Sequence, residues 1–303
     1  MATTVISCEA LTKYYGKNRG IEDLTFEVRP GQVYGFLGPN GAGKTTTIRC
    51  LLSLLRPTSG KAYLFDQEVT VDSHDLRRRI GYVPGDVAFF EKQSGRWMLD
   101  YVSGLRGQRG RSEAELRERL EFDDSRKIRE LSKGNKQKLA LIIALMHDPE
   151  LLMLDEPTSG LDPLNQQVVF DILEERVRDG ATVFLSSHIL PEVERVCERV
   201  AIIRDGKVVA EESVGVLLSK AIRTVEVTYE DPVPDDFVEG IGGVTAVERM
   251  GDTAIRATIA EDIGGALRGF LERPIKDIQV EHATLEEVFL QYYAHDDEGG
   301  GPS

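Results

Sequence analysis

Short apolar runs separated by polar turns set out the first 220 residues. Val33–Leu37, LLML at 151–154 and ATVFL at 181–185 carry almost no polar side chain, the pattern of strands buried on both faces of a parallel sheet. ISCEAL and LTFEV also read as strands, close enough in the chain to form an antiparallel flap, and Pro30-Gly31 turns the second into QVYGFL. IRCLLSLLRPTSG predicts a helix closed by Arg56, Pro57 and Gly60. GKAYLFDQEV follows as strand and turn, then HDLRRRIGYVP as a basic helix end and a short strand stopping at Pro84. Between 86 and 130, Trp97, Leu99 and Val102 fall within one helix, and SEAELRERLEF reads as a second, charged and amphipathic. Adjacent Phe89 and Phe90 cannot both point inward on a strand, which assigns one to the core and the other to a partner-docking surface. Beyond 220, TVEVTYE, GVTAVERM, TAIRATI and IKDIQVEH read as strands, with ALRGFLER and TLEEVFLQYY as helices. Residues 221–294 are therefore expected to form a small α+β domain, and 295–303 a disordered acidic tail.

Composition supports a globular chain of 303 residues, 41% hydrophobic and 29% charged. No apolar run approaches the roughly 18 residues of a membrane span. LALIIALM at 139–146 stops short between Lys138 and His147, and the N-terminus lacks the basic-then-apolar pattern of a leader. Cys8, Cys50 and Cys197 are scattered, odd in number and without metal or disulfide spacing, which fits a reducing compartment. The net charge of −14 is uneven: residues from 221 onward hold 6 basic and 18 acidic side chains, against 31 and 33 before them. The nearly neutral first part tolerates an anionic ligand, while the acidic last third argues against nucleic acid.

The apolar run 33–37 leads into GPNGAGKT, fitting G-x-x-x-x-G-K-[ST] at Gly38, Gly43, Lys44 and Thr45, and apolar residues resume at Ile48. Gly38, Gly41 and Gly43 permit backbone angles that side-chained residues resist, so successive N–H groups can turn around phosphate oxygens. The start of the next helix adds partial positive charge. Lys44 reaches the outer phosphates, and the Thr45 hydroxyl holds Mg²⁺. Upstream, Tyr14 and Tyr15 are equal candidates for stacking on a base.

The second half of the site lies in three places. LSKGNKQKLALIIALM opens a helix at the N-cap Ser132, with Gly134 allowing close approach to a ligand. LLML ends on Asp155 and Glu156, at the carboxyl end of a strand where such sheets bind ligands. Asp155 can orient Mg²⁺ through water, and Glu156 can align the water that attacks a γ-phosphate and take its proton. ATVFLSS ends on His188, placed to contact the γ-phosphate or that water.

GPNGAGKT, LSKGNKQ, LLMLDEPTSGLD and His188, in that order, resemble the ATP-binding cassette (ABC) ATPases, from residue 5 to about 220. The resemblance implies an α/β fold: a P-loop NTPase (RecA-like) core over 1–220, with the antiparallel flap and an inserted helical subdomain over about 86–140. It implies ATP and Mg²⁺ bound by Tyr15 on the base, by Gly38, Pro39, Asn40, Gly41, Ala42, Gly43, Lys44, Thr45 and Thr46 on the phosphates, and by Thr45 and Asp155 on the metal. It further implies a homodimer or paired cassettes, with Ser132, Gly134 and Gln137 reaching the partner's ATP in trans and Leu161 and Asp162 linking the two sites. HATLEEVFLQYY and LSKGNKQK resemble cassettes of drug and antibiotic exporters, which implies integral membrane permease subunits as partners at the cytoplasmic face. Two rivals are a soluble cassette without transport and a degenerate cassette paired with an active one. The first usually carries two cassettes or a coiled-coil insert; the second is opposed by intact Lys44, Asp155, Glu156 and His188. One departure stands out: Gly85, followed by Asp86, replaces the family's usual Gln, removing a side-chain oxygen expected near the metal.

Overall fold

A computed structural model describes residues 3–107, 110–220, 223–234, 237, 241–259, 263–281, 284–286 and 289. The chain divides into two compact units, Met1–Glu212 and Ser213–Ser303. In the first, β1 (Ile6–Tyr15) and β2 (Asn18–Val28) form a hairpin, followed by β3 (Val33–Leu37), α1 (Lys44–Leu51), β4 (Ser59–Leu64), β5 (Gln67–Glu68), α2 (His74–Arg78) and β6 (Ile80–Val83). Three helices, α3 (Gly95–Arg106), α4 (Glu113–Arg119) and α5 (Lys133–Leu145), precede β7 (Leu151–Asp155). Then come α6 (Pro163–Arg178), β8 (Thr182–Ser187), α7 (Leu190–Val196), β9 (Arg199–Arg204) and β10 (Lys207–Ser213).

The central sheet has the order β10-β9-β3-β8-β7-β6. Its pairs β9–β3, β3–β8, β8–β7 and β7–β6 are parallel, and every residue of β3, β7 and β8 is buried. Register decides where chemistry can sit. Leu37 pairs with Ser187 and Asp155 with Ser186, so three neighbouring strands end level with one another. The antiparallel sheet β2-β1-β4-β5 packs on this layer through Phe26, whose ring lies 5.4 Å from Phe36 and 6.0 Å from Phe184. β9 and β10 meet at Asp205-Gly206, both with positive φ (48° and 75°), as a two-residue hairpin turn requires.

Two local expectations change. LTKYYGKNRG is the tip of the β1–β2 hairpin rather than a link between separate strands. The helix after the glycine loop stops at Leu51 instead of running to Arg56, because Ser53 adopts a left-handed φ of 56°. Phe90 is 55% exposed and stands edge-on to Trp97 and Tyr101, whose rings stack at 5.0 Å; Phe89 is half-buried.

The second unit begins with α8 (Val214–Lys220), which the sequence had placed with the preceding domain, and continues through β11 (Arg223–Tyr229), β12 (Val244–Arg249), β13 (Ala254–Ile259), α9 (Ile263–Phe270) and β14 (Ile275–Glu281). Its antiparallel sheet has the order β12-β13-β11-β14. Alternate residues Val225, Val227, Tyr229, Ile255, Ala257 and Ile259 form one core with Ala266 and Phe270 of α9. Most of TLEEVFLQYY and all of the tail at 295–303 lie outside the described residues.

Candidate functional site

The loop from Gly38 to Gly43 joins the buried end of β3 to α1, whose first turn carries Lys44, Thr45 and Thr46. Gly41 and Gly43 have φ of 84° and 114°, angles that turn the loop inward. Gly38 has no positive φ; it is glycine for lack of room, since a Cβ there would lie 2.4 Å from the Ile203 carbonyl oxygen. Gly43 caps α1 without a side-chain bond, and Ala42 is buried, its N–H bonded to Pro39 O at 3.2 Å. Inside the loop the Lys44 ammonium donates to Gly38 O at 2.6 Å and Pro39 O at 3.2 Å, and lies 3.7 Å from Glu156 Oε1. Burial pushes the Lys44 ammonium below its ordinary pKa, with Glu156 and Asp155 opposing the shift.

A cleft of about 270 Å³ opens beside the loop, lined by Tyr15, Arg19, Asn40, Lys44, Thr45, Thr46 and Glu156 among others. Tyr15 is 45% exposed, its hydroxyl 3.4 Å from Thr46 Oγ1. Tyr14 does not line the cleft; its hydroxyl donates to Glu22 at 2.7 Å. Arg19 was missed by sequence reasoning, its only signal being a basic residue just past the aromatic pair.

Behind the loop, Thr45 Oγ1 donates to Asp155 Oδ2 at 2.6 Å, and buried Ser186 donates to the other carboxylate oxygen. Thr45 and Asp155 thus present hard oxygen donors side by side, the chemistry that suits Mg²⁺. Among the described residues no group of three His, Cys, Asp or Glu can hold a metal alone, so a cation here would need phosphate and water oxygens as well. Gly85 lies against the same carboxylate, its missing Cβ 3.1 Å from Asp155 Oδ2, whereas Asp86 is exposed.

Glu156 follows Asp155 with a left-handed φ of 51°, which turns it out of the strand line toward Lys44 and His188. His188 Nδ1 is 2.8 Å from Glu156 Oε1. Gln137 supports this turn from below: its buried amide donates to Pro157 O at 2.8 Å and Glu156 O at 3.4 Å. The other predicted trans and linking residues stand apart from the cleft. Ser132 is exposed and caps α5, accepting from Asn135 N at 3.2 Å. Gly134 packs on its own chain, with room for a Cβ blocked 2.6 Å away by Gly160 O. Leu161 is buried, and Asp162 caps α6 by accepting from Asn165 N at 3.0 Å.

Known proteins resemble this chain in sequence and in fold. A family model described as ABC transporter matches residues 21–159. The bacitracin transport ATP-binding protein BcrA of Bacillus licheniformis is 38% identical over 216 residues, 69% of this chain and 70% of that one. The daunorubicin/doxorubicin resistance ATP-binding protein DrrA of Streptomyces peucetius is 33% identical over 309 residues, 97% of this chain and 93% of that one. A dimeric ATP-binding cassette solved in a post-hydrolysis state with ADP and Pi shares the fold, with a TM-score of 0.63 at 23% identity over 69% of this chain and 98% of that one.

Proposed function

The chain belongs to the ABC transporter family as an ATP-hydrolysing subunit, and on that premise we propose that it energises export of drugs, antibiotics or similar small hydrophobic molecules. The observation that carries the reading is a set of three contacts at the level ends of β3, β7 and β8: Lys44 to Glu156, Thr45 to Asp155, and Glu156 to His188. Adenine stacks on Tyr15, while the Lys44 ammonium and the N–H groups between Gly38 and Thr46, other than that of Ala42, which is bonded to Pro39 O, hold the phosphates. Thr45 and Asp155 hold Mg²⁺, which neutralises phosphate charge when bound. Glu156 takes the proton of the attacking water, and His188 fixes the carboxylate and contacts the γ-phosphate side of the site.

Two copies, or this chain and a related one, close over ATP so that Ser132 and Gly134 of each face the phosphate loop of the other. The solved cassette of the same fold is dimeric, which supports pairing of two cassettes. Leu161 and Asp162 then lie between the two sites. Closure can drive transport only because ATP binds one dimer state better than the other. The names of the transport and drug-resistance relatives support separate permease subunits and a peripheral position at the cytoplasmic face, and no helix among the described residues is long and apolar enough to cross a membrane. The surface offered to them is α3, with the exposed Phe90–Trp97–Tyr101 cluster, and a groove of about 200 Å³ lined by Leu52, Leu54, Tyr82, Arg106 and Ile143.

The test is Glu156→Gln in the full-length chain. It keeps the shape of the His188 contact and removes the proton acceptor, so Mg²⁺-dependent turnover should fall about 10²–10⁴-fold while ATP binding persists. Undiminished turnover would sink the assignment.

A further inference from the structure

The segment behind His188 carries a carboxylate that none of the roles above uses. α7 begins two residues after His188, and Glu192 sits in its first turn. Glu192 is only 7% exposed. Its Oε2 accepts from the hydroxyl of buried Thr158 at 2.8 Å, and its Oε1 has no partner among the described residues. A carboxylate that served only the helix dipole could do so from the surface; burying one on a single hydrogen bond costs more than an apolar side chain of the same size.

Thr158 is the hinge of the turn that carries Glu156 away from β7. Ser159 N bonds to Glu156 O at 3.1 Å and Leu161 N to Thr158 O at 3.0 Å. Two ties therefore run side by side between the same two segments: Glu156 to His188, and Thr158 to Glu192, each at 2.8 Å. Thr158, Glu156 and His188 line one cleft of about 170 Å³. With the second tie intact, the first holds its geometry at a smaller entropic cost.

We propose that Glu192 is a positioning residue for hydrolysis: by holding the Thr158 hydroxyl, it keeps the 156–161 turn in register with the helix behind His188, and so keeps Glu156 aligned with the His188 ring. The inference rests on the reading of Glu156 and His188 as the hydrolytic pair. Burial raises the Glu192 carboxyl above its ordinary pKa and Glu156 adds to the shift, while Thr158 and His188 oppose it, in keeping with its place beside the pair.

Three substitutions in the full-length chain separate positioning from bulk stability. Glu192→Ala and Thr158→Val each break the tie; Glu192→Gln keeps an oxygen that can accept from Thr158. Steady-state ATP hydrolysis, ATP affinity and thermal unfolding are measured on each. Glu192→Ala and Thr158→Val should lower kcat about tenfold with KM and Kd for ATP within about twofold, and Glu192→Gln should restore most of kcat. The double variant Glu192→Ala/Thr158→Val should be no slower than Glu192→Ala alone. Unchanged kcat in Glu192→Ala, additive losses in the double variant, or Glu192→Gln as slow as Glu192→Ala would each overturn the proposal. Should Glu192→Ala fail to fold, Thr158→Val and Glu192→Gln carry the same test, and equal rates in the two would refute it. A wild-type chain without turnover, or an active Glu156→Gln chain, would instead remove the hydrolytic pair on which the inference stands.

Discussion

Replacing Gly43 by alanine, with Gly41 as the control in the same loop, probes the phosphate cradle most directly. Gly43 has a φ of 114°, and an added Cβ would lie 2.7 Å from Ile21 Cγ2 and 2.8 Å from the Gly20 carbonyl oxygen. The backbone angle costs about 1–3 kcal/mol for a side-chained residue. The contact with β2 backbone adds about 1–3 kcal/mol, because strand atoms cannot swing aside as a flexible side chain can. Gly41 has a φ of 84° but nothing within 4 Å of its Cβ position, so only the angle is penalised. Gly41→Ala should thus lose about 1–2 kcal/mol and Gly43→Ala about 4 kcal/mol, melting shifts of roughly 2–8 °C and 8–16 °C for a unit of this size. Both are measured by thermal unfolding without nucleotide and by calorimetric titration with ATP. The loop N–H groups must move to relieve the Gly43 clash, so ATP affinity should fall about a hundredfold or more there and within about tenfold at Gly41. Equal damage from the two substitutions, or a Gly43→Ala chain with wild-type melting and affinity, would refute the loop geometry.

Tyr15→Ala should weaken ATP binding about tenfold or more through lost stacking, while Tyr14→Phe should leave it within about twofold, because that hydroxyl is engaged by Glu22; titration with ATP distinguishes them. Trp97→Ala/Tyr101→Ala should abolish co-purification with membranes yet leave ATP hydrolysis by the isolated chain within about twofold; retained membrane capture would move the docking surface elsewhere. Burial, with Arg106 as the second cause, pushes the His147 pKa from 6.5 down to about 4, so the folded chain resists a proton that the unfolded chain takes up. The corresponding stability is fully present above pH 6.5 and is lost as pH falls toward about 4, by roughly 1–2 kcal/mol after solvent screening. Denaturant titrations from pH 7 to 4 should show a shallower loss in His147→Gln, and parallel curves would count against it.

The chemistry was legible wherever it depended on neighbours in the chain. An apolar run followed by GPNGAGKT can form little except a buried strand, a glycine turn and a helix start. Ser132 before an apolar helix and Asp155-Glu156 after LLML are likewise local patterns, readable from spacing and polarity. Helix α3 follows from the same polarity pattern, and so does the expectation that one of Phe89 and Phe90 faces out, though only the fold picks Phe90.

What the pattern could not settle depended on residues far away in sequence. Neither tyrosine of the 14–15 pair is preferred by alternation alone; the β1–β2 hairpin places Tyr15 in the cleft and turns Tyr14 to Glu22. The reason for glycine at 38 is the Ile203 carbonyl, and Gly134 is hemmed in by Gly160. The bond from the Gln137 amide to Pro157 O likewise has no local sign in the sequence. Ser186 and Glu192 belong to no local motif and gain their roles only because β7, β8 and α7 come together in one register. Local polarity selects strands and helices, whereas a hydrogen bond between distant segments exists only once packing has fixed their spacing, and that is decided by the whole chain at once.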